Sequence, residues 1–127
     1  MTTIFQDGLV PGNMQVSLGG QIVNSGTGGG AVDSIVGVGF TAEKLAGTGA
    51  YQITLNDPYP QVWSATATVQ SATNDVVVMV TAITAATSTA NNKIGFQLQD
   101  NDHASPAHDL LNESLHFHLT LVRSNAQ

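Results

Sequence analysis

The chain of 127 residues contains no cysteine, which excludes disulfides, thiolate nucleophiles and Cys-ligated zinc or iron–sulfur centres. Cations are nearly as scarce. Lys44, Lys93 and Arg123 stand against nine acids, for a net charge of -6. They are scattered, whereas binding to phosphate backbones needs clustered Lys and Arg, so nucleic acid is not an expected partner. Charged residues of both signs make up only 9%, against roughly 25% in ordinary soluble domains. The surface must therefore be built from Thr, Ser, Asn, Gln and Gly. Aromatic residues are few as well, with one Trp, two Tyr and four Phe, and the apolar content is mostly Ala and Val. A core this thin favours burial against partner subunits. The longest apolar run, Val76 to Val80, is five residues, far short of the roughly 20 of a membrane-spanning helix, so no membrane is expected either. The first residues lack the basic start and apolar stretch of a signal peptide, which predicts synthesis and use without Sec export.

Glycine is abundant, and it is concentrated early. Gly8, Gly12, Gly19, Gly20, Gly26, Gly28, Gly29, Gly30, Gly37 and Gly39 all precede residue 40. Glycine raises the entropic cost of ordering a chain, so residues 1–30 read as an extended arm and residues 31–127 as the folded body. Short apolar patches interrupt the arm at Ile4, Phe5, Leu9, Val10, Met14, Val16 and Leu18. These are the candidate contacts to another chain's surface.

From Ala31 onward the hydrophobic period is two, the period of strands. Val32, Ser34, Val36 and Val38 predict a strand ending near Phe40. Tyr51, Ile53 and Leu55 define one face of the next, and Asn56-Asp57-Pro58-Tyr59-Pro60 ends it, because proline cannot donate to a ladder. Trp63, Ala65, Ala67 and Val69 then share a face, with Trp63 as the expected core anchor. Val76 to Ile83 is apolar on both faces, the pattern of a strand central to a sheet or to a subunit contact. Ile94, Phe96 and Leu98 face inward on a further strand, as do Leu115, Phe117, Leu119 and Leu121 on the last. Between those two, residues 100–113 read as a long exposed loop with a helical turn at Asp109–Leu111. Six to eight strands at about ten-residue spacing predict an all-β fold, a single antiparallel β-sandwich or jelly-roll-like domain.

Chemistry-bearing patterns are weak. His116 and His118 lie two apart on a strand and so project from the same face, a spacing that suits a metal, although on an alternating strand they read first as its polar face. Asp100, Asp102 and Asp109 lack the glycine and later ligands of a calcium loop. The glycine runs at 26–30 and 47–49 lack the Lys-Ser/Thr or helix start of a phosphate cradle, and no serine sits in a nucleophile elbow. No enzyme activity, cofactor or metal is expected.

The segment Gly47-Thr48-Gly49-Ala50-Tyr51-Gln52-Ile53-Thr54-Leu55-Asn56-Asp57-Pro58-Tyr59-Pro60, the alternating Trp63 to Gln70 strand and the closing Leu119-Thr120-Leu121-Val122-Arg123-Ser124 together resemble small virion proteins of tailed bacteriophages. The likeness covers about residues 37–125. It implies a head decoration, or cement, protein: a β-rich homotrimer on the outer capsid surface, bound to the major capsid protein through its N-terminal arm. The same features suit a tail or fibre-associated module that displays the loops at 84–92 and 100–113 to a host carbohydrate or receptor.

Overall fold

A computed structural model describes residues 15–71, 76–100 and 107–122. Eight strands account for most of them: β1 (Gln15–Val23), β2 (Ser34–Val36), β3 (Phe40–Lys44), β4 (Ala50–Leu55), β5 (Gln61–Gln70), β6 (Val76–Thr84), β7 (Lys93–Asp100) and β8 (Ser114–Val122). They form two four-stranded sheets in the orders β2-β1-β8-β5 and β3-β4-β7-β6, and every pairing between named strands is antiparallel. The all-β expectation holds.

The apolar faces of the two sheets meet in one cluster. Leu18, Ile22, Leu115, Phe117, Leu119 and Leu121 from the first sheet join Phe40, Tyr51, Ile53, Leu55, Ile94, Phe96 and Leu98 from the second. The aromatic rings bridge the sheets: Phe117 meets Phe40 edge-on at 4.8 Å and Phe96 at 6.0 Å between centroids, the offset arrangements that ring quadrupoles favour. The alternation read on β4, β7 and β8 is thus the alternation of the core, with Tyr51, Ile53 and Leu55 all buried.

The boundary of the arm is corrected. Residues 15–23, expected to belong to it, form β1, which lies between β2 and β8 and pairs with β8 along its whole length. Leu18 is buried in the core and Val16 packs against it, so both are committed to the chain's own interior and neither is a free contact for another surface. Ile4, Phe5, Leu9, Val10 and Met14 lie outside the described residues. The glycines of residues 1–30 are not all linker residues, because two of them serve packing. A Cβ on Gly20 would sit 2.5 Å from the Phe40 ring, so Gly20 makes room for that ring. Gly30 has φ +74°, and a Cβ there would meet the Tyr51 hydroxyl at 2.5 Å.

Three further expectations change. The strand predicted from Ala31 to Phe40 shrinks to β2, and β3 begins only at its expected end, because Gly37 and Gly39 adopt φ of +114° and +95°, values that break a strand. No helical turn forms at residues 109–111; Leu110 instead plugs the core. β6, expected at the centre of a sheet or of a subunit contact, is the edge strand beyond β7, which overturns the first of those alternatives.

Candidate functional site

The two sheets have edges on two flanks, and the flanks differ. On one, β2 has three residues and β3 has five, including Glu43 and Lys44. On the other, β5 has ten residues and β6 nine, with no charged residue and no proline in either. Long uncharged edges offer rows of backbone donors and acceptors to other chains, and natural proteins ordinarily blunt them with charge or proline.

Each long edge carries one irregularity. In β5 the register against β8 shifts between Val62 and Ser64. The extra residue is Trp63, so Val62, Ala65, Ala67 and Val69 pack on the core while Trp63 turns outward at 52% exposure. The expected core anchor is therefore a surface residue, since a bulge moves a side chain to the opposite face. In β6 the shift falls between Val80 and Ala82; Val76, Val78 and Val80 pack on the core, whereas Val77, Met79 and Ile83 are exposed. The apolar pattern on both faces of this strand reflects one face on the core and one face left open.

At one end of the flank, an open groove of about 480 Å³ is lined by Pro60, Gln61, Val62, Trp63, Ile83, Thr84, Ala85 and Asn92. The indole Nε1 donates to Gln61 Oε1 at 2.7 Å, which fixes the ring's direction. Asn92 is buried and spent on the backbone, accepting from Tyr59 N at 2.8 Å and donating to Tyr59 O at 3.0 Å.

The opposite end of the molecule is polar and internally satisfied. The Asn24 side chain donates to the carbonyls of Thr27 and Ala31 and accepts from the amides of Gly26 and Asn112, each bond at 2.9 Å. Tyr51 donates to Gly30 O at 2.6 Å and accepts from Leu110 N at 2.9 Å, and burial pushes its hydroxyl up to about 12. Asp109 accepts from Gly49 N at 2.7 Å and pairs with Lys44 at 3.3 Å. His108 and Glu113 meet at 2.7 Å. Burial raises the Glu113 carboxyl, but hydrogen bonds from Ser71, His108 and the Leu111 amide outweigh it and hold the group below its ordinary value. These groups join the β1–β2 turn, the β3–β4 turn and the segment before β8. Their chemistry is spent on closing the end of the fold.

His116 and His118 do project from the same side of β8, beside Thr68 and Thr66 of β5 and Gln21 and Gly19 of β1. His116 Nε2 is buried and has no hydrogen-bond partner among the described residues. No group of three metal-ligating side chains occurs among the described residues. Of the three aspartates of the acidic segment, Asp100 is buried at the end of β7, Asp109 is engaged as above, and Asp102 lies outside the described residues.

No family model, no curated protein and no solved structure matches this chain. The open flank was only half legible in the sequence. Its lack of charge could be read, but the outward turn of Trp63 depends on a bulge that leaves no residue signature.

Proposed function

We propose that this chain is a non-enzymatic structural protein of a phage virion, a capsid decoration or cement protein that sits on the outer head surface as a homotrimer. The observation that carries the reading is the flank of β5 and β6, two long uncharged edges with Trp63, Val77 and Met79 exposed beside them. Such a surface suits a protein whose neighbours cover it. The acidic, amide- and hydroxyl-rich remainder suits an exposed particle surface. Two antiparallel sheets of four strands also match the strand count of jelly rolls, an architecture of viral capsid and lectin domains.

Capsid contact falls to the stretch before β1, through Ile4, Phe5, Leu9, Val10 and Met14. Many modest contacts, repeated over a particle, sum by multivalency. The test is co-sedimentation with phage heads prepared without this chain. Full-length protein is expected to sediment with them, and a variant lacking residues 1–13, which leaves β1 whole, is expected to stay in the supernatant. Unimpaired sedimentation of the truncated form would remove the arm from the mechanism; no sedimentation of either form would remove the cement role.

One observation favours a second reading, a tail- or fibre-associated module that binds host carbohydrate. The exposed Trp63 lies in a groove beside the loop at 84–92, and an indole face is an apolar platform on which a sugar ring can stack. A glycan array on the full chain, with Trp63→Ala as the control, separates this class from the first.

A further inference from the structure

The geometry points to the β5/β6 flank as the surface on which copies of this chain associate, β6 of one copy lying along β5 of the next. This inference takes its ring of three from the function proposed above; the choice of surface stands without it.

Charge argues for a second copy as the occupant. The chain carries a net charge of -6, so most approaches of one copy to another are repulsive. β5 and β6 contain no charged residue, and this long flank is where two copies meet without opposing like charges. The nearest charges on the neighbouring strand are Lys93, opposite Thr84, and the buried Asp100, opposite Val76. Both lie at the ends of the edge.

The two edges are also complementary. Gln61 to Trp63 at the start of β5 and Ile83 to Ala85 at the end of β6 line one groove, so the two strands run in opposite directions at matching levels. Rotating copies about an axis parallel to the strands brings β6 of each against β5 of the next, antiparallel and level. Trp63 of one copy then faces Ile83 of its neighbour, and the ring closes with neither β5 nor β6 left unpaired. Strands of this length extend about 30 Å at roughly 3.3 Å per residue, and sheets pack about 10 Å apart. The bare strip is therefore on the order of 300 Å², widened by the side chains of Trp63, Val77, Met79 and Ile83 exposed beside it.

The test is solution mass by light scattering over a concentration series, with amide exchange on the same samples. Wild-type protein is expected to form an oligomer whose β5 and β6 amides gain protection as it assembles. Met79→Glu is expected to return it to monomer, because a carboxylate on the strip would be buried opposite an uncharged edge. Val38→Glu, at an 86% exposed site on the other flank, is expected to leave the oligomer intact. Because Trp63 is the chain's one tryptophan, its emission should shift to the blue on assembly, a readout that needs no variant. A wild-type monomer at every concentration, or an oligomer that Val38→Glu breaks and Met79→Glu does not, overturns the assignment. An oligomer of this kind that ignores phage heads would uphold the flank and sink the cement role instead.

Discussion

The two flanks of this molecule expose similar side chains and differ in almost everything else. Ile35, Val36 and Val38 are exposed on the β2/β3 side, as Trp63, Val77, Met79 and Ile83 are on the β5/β6 side. Exposure of apolar residues therefore does not distinguish them. On the β2/β3 side the strands are short, Glu43 and Lys44 sit on the edge, and Gly37 and Gly39 turn the chain from one sheet into the other. Nearby, the Asn24 and Tyr51 hydrogen bonds fasten the β1–β2 turn. The β5/β6 side has long edges whose fastenings sit at their ends, where Asn92 bonds the Tyr59 backbone before β5 and Ser71 after β5 bonds Glu113. One flank is finished by short edges, one of them charged, and the other keeps two long uncharged ones.

The largest effect should come from breaking the finished side. Asn24 is buried, and its side chain makes four hydrogen bonds that tie the β1–β2 turn to the segment before β8. Asn24→Ala leaves those backbone groups without partners, at a cost of about 3 kcal/mol. Urea unfolding of dilute protein measures it. A loss within error of zero would mean that water replaces the side chain at no cost, and that this end is less closed than its hydrogen bonds indicate.

A smaller effect is a pH dependence on the same end. Glu113 is held below its ordinary value near 4.5, despite burial, by bonds from Ser71, His108 and the Leu111 amide. A carboxyl so held binds its proton less readily in the folded chain than in the unfolded one. Its contribution to stability is whole above about 4.5 and is lost as the pH falls below that value. Stability followed from neutral to acidic pH should therefore decline, and Glu113→Gln should decline less steeply. Part of the slope should survive in the variant, because Asp33 is also held low, by bonds from Thr27 and Ser25. Parallel profiles for wild type and variant would show that the Glu113 contacts do not discriminate between its charged and neutral forms.

The comparison also explains what could be read from the sequence. Strands β4, β7 and β8 were legible because each buries one face on the core and alternates without interruption, as Tyr51, Ile53 and Leu55 do. β1 was hidden by Gly19 and Gly20, which look like linker residues until the Phe40 ring against Gly20 is seen. That contact joins residues twenty apart in the chain, and no local pattern encodes it. Strict alternation places Trp63 in the core, and one bulged residue turns it outward. The apolar run in β6 announced burial on both faces, but the sequence could not say whether its second cover would be a strand of the same sheet or another molecule.

The smallest effect, and the most discriminating one, concerns Trp63. It is half exposed, and its indole hydrogen bond to Gln61 is at the surface. Trp63→Ala should therefore cost a dilute, monomeric sample about 1 kcal/mol or less, although replacing a buried aromatic by alanine commonly costs 3–5 kcal/mol. The informative quantity is how this cost changes with concentration. Association through β5 and β6 adds stability to wild-type protein by mass action, so its melting temperature should climb as it is concentrated, while that of the variant should climb less. A variant that starts several kcal/mol below wild type would return Trp63 to the core. Equal climbs for the two proteins would take Trp63 out of the contact between copies.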